Sequence, residues 1–500
     1  MTDALWLGVD VGTQSVKVSI VDDRGQVRGR GSAALQSVRE GNRHEQNPAD
    51  WVAQSRAAMA VAVRDLPDAD RVRIAGVSVC ATSGTITSVD ARGTAVSTGL
   101  MYDDGRAGHL SGLIADVEPE RWRRLGFRIQ PTWALPKILW LVREGLLTEG
   151  STIATQADVV ASAVTGGPVA SDWSHSLKSG YDLLEQSWPL SVFAAIGVPE
   201  KILPRVVAPG ALLGTCSAEW AESTGLREGT PVFAGMTDGC AAQLGAGTLG
   251  LGDWHTVIGT TLVVKGVSDR IVVDDSGAVY SHRAPHDGLW FPGGASSVGA
   301  GALSAVLPGD DLADRTHSLA RKYAGRLNHI PLSYPLVGTG ERFPIVRPDA
   351  RGFVRLHGEN RPLVAGATDD DDLAAAVFLG VACVERLAVE TMTGAGVPVT
   401  GTFSSSGGAT KNTWWTQLRA DLLGREISVP LSAEGSVGMA ILAAWGHGQR
   451  GDVGPGLPEV AARMSPIGIS FEPNAQHCDV LDDRYRRFLE LLQQQGWLPA

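Results

Sequence analysis

Hydrophobic positions in this chain come in short bursts separated by glycine-rich turns, and the first burst sets the pattern. Leu7-Gly8-Val9-Asp10-Val11 is an apolar strand interrupted only by its aspartate, and Gly12-Thr13-Gln14-Ser15 follows as a turn. Val16, Val18 and Ile20 then alternate with Lys17 and Ser19. A period of two predicts a second strand, so the stretch reads as a hairpin. Asp22-Asp23-Arg24-Gly25 turns the chain back through Val27. Asn47 before Pro48 predicts a helix start, with the helix running to about Asp65. Ile74 to Val79 is a short apolar run, a buried strand, and it ends in the small polar loop Cys80-Ala81-Thr82-Ser83-Gly84-Thr85. From about Leu110 to Thr165 the spacing is mostly helical. It is clearest from Lys137 to Val142, and Gln156-Ala157-Asp158 opens a further helix.

Pro231 to Gly235 predicts another strand, and Asp238 stands where it gives way to a small-residue helix. The segment His255 to Lys265 then repeats the opening logic: apolar strand, Gly259-Thr260-Thr261, apolar strand. Two further glycine clusters follow. Gly293-Gly294-Ala295-Ser296-Ser297 comes after an apolar run, and Ser404-Ser405-Ser406-Gly407-Gly408-Ala409-Thr410-Lys411-Asn412 leads into Trp414-Trp415. Glycine lets a backbone approach a phosphate or a flat ring closely, and turn N–H groups with threonine hydroxyls donate to phosphate oxygens. Gly245 to Gly250 matches G-x-G-x-x-G, but that fingerprint needs a strand before it and a helix after it. Here a helical stretch precedes and a strand follows, so it is rejected.

Composition changes this picture little. The chain has 500 residues and 44% hydrophobic content, enough for two or more domains. Its formal net charge of −11 argues against a nucleic-acid surface. No apolar run reaches the length of a membrane span, and the first residues carry no basic leader pattern. The five cysteines show no metal-ligand spacing, which fits a reducing, cytoplasmic setting. Two carboxylates carry candidate chemistry: Asp10 at a strand end, suited to a metal ion or to ordering phosphates, and Asp238, suited to general-base work or to capping its helix. Asp103-Asp104-Gly105-Arg106 reads either as a fork onto sugar hydroxyls or as a solvated charged turn.

The order Asp-x-Gly-Thr, Thr-Asp-Gly-Cys-Ala, Gly-Thr-Thr, Gly-Gly-Ala and Gly-Gly-Ala-Thr-Lys-Asn resembles the FGGY family of carbohydrate kinases, within the actin/hexokinase/heat-shock-70 ATPase superfamily. His44 to Trp51 and Gly340-Glu341-Arg342-Phe343-Pro344 resemble other family segments. The resemblance implies an α/β fold of two ribonuclease H-like domains, 1–247 and 248–500, with a deep interdomain cleft whose closure excludes water. It implies ATP and Mg²⁺ as cofactors. Asp238 would be the general base, and Asp10 would serve metal, phosphates and sugar. Gly12, Thr13 and Gln14 would form the first phosphate loop, with Gly259, Thr260 and Thr261 as the second. Gly293, Gly294, Gly407, Gly408, Ala409, Asn412 and Trp415 would line the nucleotide site, Trp415 as a cover for adenosine. The partner would be a small sugar or polyol, with no nucleic acid and no membrane, and a homodimer is left open.

Xylulokinases of the family carry Gln-x-His-Gly where this chain has Ala81-Thr82-Ser83-Gly84-Thr85. The loop is more similar to the Thr-Ser-x-Thr of the D-ribulose kinase group, once described as xylulokinase-like. Ser171 to Asp182 and Tyr280 to Arg283 resemble that group too. By that likeness Asp10, Ser83 and Asp238 would touch the sugar, and the fork of Asp104 and Arg106 is expected to bind it too. D-ribulose is the first expectation and D-xylulose or another polyol the second. A different class, an ATP-driven conformational switch, would use the same phosphate turns and no sugar.

Overall fold

The computed structural model describes residues 4–274, 276–309, 315–451 and 454–499. The opening burst folds as β1 (Leu5–Val11) and β2 (Ser15–Asp22), antiparallel, with Asp10 opposite Lys17 and Val11 opposite Val16. β3 (Val27–Ala34) extends this meander. α1 (Pro48–Arg64) starts where Asn47 accepts a hydrogen bond from the Ala49 N–H at 3.1 Å, with proline at the first helical position. β4 (Ile74–Ala81) returns parallel to β1. The 110–165 region breaks into short helices; α2 (Ala134–Arg143) and α3 (Gln156–Thr165) are its longest, and a capping box of Thr155 and Asp158 starts α3. β5 (Leu212–Thr215) and β6 (Pro231–Phe233) complete a sheet of order β5-β6-β4-β1-β2-β3, and α4 (Asp238–Gly245) follows.

The second sheet takes β7 (Trp254–Ile258), β8 (Leu262–Gly266), β9 (Tyr280–Arg283), β10 (Trp290–Ser296), β11 (Phe403–Ser406), β12 (Ile427–Pro430) and β13 (Ile467–Phe471) in the order β9-β10-β8-β7-β11-β12-β13. Its plan repeats the first. β7-β8-β10 is an antiparallel meander, β7, β11 and β12 run parallel, and an antiparallel strand closes the edge. The Gly-Thr-Thr echo is therefore an echo of topology: Gly12 and Gly259 each follow the first strand of a meander, and each donates its N–H back across its turn.

Packing divides the chain into two compact units that are not contiguous in sequence. One takes the residues through Leu249 with His282–Trp290 and Ser432–Pro466; the other takes Gly250–Ser281, Phe291–Leu431 and the segment from Ile467. A single cut after residue 247 follows the sequence, whereas α7 (Gly435–Gly448), far beyond it, packs on β1, β4 and α4 of the first unit. The match is close: a Cβ on Gly8 would lie 1.8 Å from the Ser436 carbonyl oxygen. α7 also explains Ser19. On the face of β2 away from Val16 and Val18 it is buried, its Oγ 2.9 Å from that of Ser436, because this second face is covered as well.

The second unit's core surrounds α5 (Asp370–Gly394), whose Phe378 stacks on Trp415 of α6 (Thr413–Leu423) at 4.3 Å between centroids. A wholly buried Glu385–Arg419 pair joins these helices at 2.7 Å. Arg419 also donates to Thr256 and Ser405 on β7 and β11. Among the described residues no helix is long and apolar enough to cross a membrane.

Candidate active site

Strand register assembles the first unit's polar centre. β6, β4 and β1 lie side by side and parallel, so their carboxyl ends form one edge, the usual place for a site in a parallel sheet. At that edge Asp10 stands opposite Cys80 and Val11 opposite Ala81, while Ala81 bridges to Thr237, the residue before Asp238. Asp10 is pushed up to about 6, first by burial and then by the charge of Asp238; Lys17 and a hydrogen bond from the Cys80 thiol pull the other way. Burial holds that thiol well above its ordinary range, so it stays protonated and donates. Gly435, at the start of α7, gives Asp10 its room: a Cβ there would lie 2.9 Å from Asp10 Oδ2.

Asp238 is exposed at the first position of α4, with Oδ1 accepting the Gly239 N–H at 2.8 Å. Its backbone is fixed from behind. Ser174 Oγ accepts the Thr237 N–H at 3.2 Å, lies 3.1 Å from Thr237 Oγ1, and meets His282 Nδ1 at 3.2 Å. Asp172 caps the short turn that carries Ser174 and holds His175 Nδ1 at 2.5 Å, while His175 Nε2 faces Ala81 O at 3.3 Å. Burial lowers the pKa of His175, but the Asp172 charge wins and raises it. In the sequence residues 171–175 stood out only through a family likeness; an aspartate set to cap a turn that carries a serine and a histidine was the available signal.

The loop after β4 offers one unsatisfied group. Thr82 Oγ1 lies 2.6 Å from Thr85 Oγ1 and 2.9 Å from the Gln156 amide, whereas Ser83 Oγ is buried with no hydrogen-bond partner among the described residues. Such a hydroxyl costs about 1–3 kcal/mol unless a ligand supplies its partner. Lys137, missed at the sequence level because it sits in an apolar helical pattern, is fully buried on α2 and donates to Gly84 O and Met101 O, both at 2.7 Å. Burial pulls it down to about 7 against the opposing charge of Asp104.

Asp104 and Arg106 are not a solvated turn. Asp104 is wholly buried and accepts four hydrogen bonds, from the N–H groups of His44 and Arg106 and from Arg106 Nε and Nη2. Four bonds fill a carboxylate's lone-pair sites, leaving none for a sugar hydroxyl. Arg106 also pairs with Glu45 at 2.5 Å and lies over Trp140. The pair pins the 101–106 turn to the His44 strand.

In the second unit Gly259-Thr260-Thr261 forms the turn between β7 and β8 as the pattern predicts, and Thr260 is exposed. The glycines packed on it are Gly299 and Gly301, where a Cβ would come within 2.5 Å and 2.7 Å of Thr260 atoms. Gly293 and Gly294 instead lie within β10, not after it. Gly294 is glycine because the Phe343 ring occupies its Cβ direction at 2.7 Å. Gly407 adopts φ +94° at the end of β11, and Gly408 and Ala409 continue into a single tight turn. Asn412 is buried and caps α6 through the Trp415 N–H at 2.9 Å. Trp415 is no cover for adenosine. It is fully buried, stacked on Phe378, with Nε1 donating to Phe378 O at 2.9 Å.

Among the described residues no group of three His, Cys, Asp or Glu could hold a metal ion alone. Mg²⁺ is commonly held by one or two carboxylates together with substrate phosphates. The half-buried Asp10, with Asp238 raising its pKa by repulsion, is a donor set of that kind.

Residues 5–245 match the N-terminal domain, and residues 256–447 the C-terminal domain, of the FGGY family of carbohydrate kinases. The chain is 27% identical to an FGGY carbohydrate kinase domain-containing protein of Xenopus laevis, over 99% of this chain and 97% of that one. It is 25% identical to the xylulose kinase of Bacillus subtilis strain 168, over 94% and 93%. The solved xylulose kinase of Rhodospirillum rubrum shares the fold, with a TM-score of 0.84 at 24% identity over 98% of this chain and 99% of that one. With both family domains matched in order across most of its length, the chain belongs to the FGGY family of carbohydrate kinases.

Proposed function

We propose that this sugar kinase phosphorylates a ketopentose from ATP. D-ribulose, giving D-ribulose 5-phosphate, is the first choice and D-xylulose the second. The observation that carries the reading is the acid pair Asp10 and Asp238 on one strand edge with the buried, unpartnered hydroxyl of Ser83 on the loop beside them. A proton acceptor, a second carboxylate and a hydrogen-bond donor together suit a polyol, and an ATP-driven switch has no use for them.

In this reading Asp238 takes the proton from the attacking sugar hydroxyl as its oxygen bonds to the γ-phosphorus and the bond to the β-phosphate oxygen breaks. Asp10 and Ser83 orient the sugar. Thr13 and the Gly12 turn, with Thr260 and Thr261, donate to phosphate oxygens, so the protein's work is positioning and charge neutralisation. Mg²⁺, held through Asp10, would offset the charge on the β- and γ-phosphates. Asp104 and Arg106 serve as the pin of a neighbouring turn and do not bind sugar. In the same way both domains are of ribonuclease H-like type, and the enzyme works in the cytoplasm.

The preference for D-ribulose rests on the Thr82-Ser83-Gly84-Thr85 loop, and the xylulose kinases among the relatives support D-xylulose. A coupled ADP-release screen over D-ribulose, D-xylulose, L-ribulose, L-xylulose, ribitol and glycerol tests it. One ketopentose should raise ATP turnover well above the sugar-free rate. Turnover unaffected by every sugar would refute the proposal.

A further inference from the structure

The loop from Ala81 to Gly84 is gripped through its carbonyl oxygens by three basic side chains. Ala81 O faces His175 Nε2, Ser83 O accepts from Lys178 Nζ at 3.1 Å, and Gly84 O accepts from Lys137 Nζ at 2.7 Å. A buried ammonium is a costly partner for a turn carbonyl, since burial disfavours its charge. What the lysines accomplish is orientation. Consecutive carbonyls at 83 and 84 are both drawn to ammonium groups, one on α2 and one on the short turn Leu177–Ser179. Gly84 sits at φ +97°, and a Cβ there would lie 3.1 Å from Lys178 Cδ, so the lysine stem braces the back of the turn. The one polar side-chain atom of the loop left without a partner is Ser83 Oγ.

We infer that Lys137 and Lys178 are positioning residues for the acceptor sugar: they grip the loop by its backbone, and by fixing the Ser83–Gly84 peptide they set where the Ser83 hydroxyl is presented. The inference rests on the reading of Ser83 as a sugar contact. It makes acceptor affinity depend on two residues set behind the contact itself.

The test compares Lys137→Met, Lys178→Met, Ser83→Ala and the two lysine–serine double variants. Sugar KM, ATP KM and kcat are measured with whichever ketopentose the enzyme phosphorylates. Each lysine variant should raise sugar KM about tenfold and leave ATP KM unchanged, as expected for lost ground-state binding. Added to Ser83→Ala, each should raise sugar KM no further, because the hydroxyl it positions is gone. A raised sugar KM in Ser83→Ala with unchanged values in both lysine variants would overturn the inference and leave the Ser83 contact standing. Full additivity would overturn it too. An unchanged sugar KM in Ser83→Ala would overturn the contact and the inference with it. Lys178 is only partly buried, so its variant answers the question even where Lys137→Met fails to fold.

Discussion

Gly435→Ala is a one-methyl probe of Asp10. The added Cβ would lie 2.9 Å from Asp10 Oδ2, 3.1 Å from its Cγ and 3.3 Å from Cys80 Sγ. Ordinary contact begins at 3.4 Å, so the carboxylate must withdraw by 3.4 − 2.9 = 0.5 Å. A misplacement of about 1 Å can cost on the order of 100-fold in rate, so about half of it predicts a kcat lower by about tenfold. The methyl also removes solvent from a carboxylate already raised to about 6, so the acid limb of the pH–rate profile should move upward. Alanine favours a helix over glycine by up to about 1 kcal/mol, so thermal stability should fall little or not at all. Initial-rate kcat from pH 5 to 9, with Tm as the control for folding, reads both effects. A kcat within about twofold of the parent and an unmoved acid limb would refute the placement of Asp10 at the reaction centre.

Asp10→Asn should separate stability from activity. Asp10 stands near 6 against an ordinary 3.8, so the fold disfavours its charge; the penalty is absent below about pH 4, grows as pH rises through that window and is complete above 6. Its ceiling is about 3 kcal/mol, so the variant should melt higher than the parent at pH 8, melt no higher at pH 4, and be inactive. Asp238→Asn should lower kcat by at least about 100-fold with Tm and ATP KM unchanged, the scale of lost general-base catalysis; a near-normal kcat removes it from that role. Trp415→Ala should destabilise the second unit by about 3–5 kcal/mol, as for a large core truncation. The folded fraction should keep its ATP KM; a raised ATP KM with an unchanged Tm would restore Trp415 to the nucleotide site. Thr13→Ala should raise ATP KM more than sugar KM, judged from the two Michaelis constants; the opposite order would count against the first phosphate loop.

What could be read from the chain was local. The β1–β2 hairpin, α1 with its Asn47 cap, β4 and the β7–β8 echo each follow from a few adjacent residues, and Asp10 and Asp238 stand at strand ends that the apolar runs define. What could not be read depends on partners distant in sequence. Asp104 and Arg106 read as a sugar fork or a solvated turn because the His44 N–H and Glu45 that engage them lie some sixty residues away. Gly294 read as a binding glycine because nothing local shows that Phe343 fills its Cβ space. Trp415 read as a lid because a tryptophan after a glycine turn gives no sign of the Phe378 ring beneath it. Lys137 read only as the start of a helical run, since helical periodicity reports which face is buried but not that a buried ammonium finds two carbonyls.

The return of α7 bears on how the protein can be made and dissected. The chain leaves the first unit at Leu249 and comes back for α7 only after Ser432. A nascent chain therefore cannot complete its first unit when that unit's sheet emerges from the ribosome. The groove shaped by Gly8 on β1 and by Gly235, whose Cβ would lie 3.2 Å from Met439 Sδ, must wait for some two hundred further residues. The usual order, N-terminal domain first, is closed to this protein. The same connectivity defeats excision: a fragment ending near residue 247 would bear an apolar slot with no helix to fill it. Neither unit is a cassette that can be cut out, grafted or expressed by itself. A split protein should regain its fold only when the residues 432–466 segment is supplied to the fragment that lacks it.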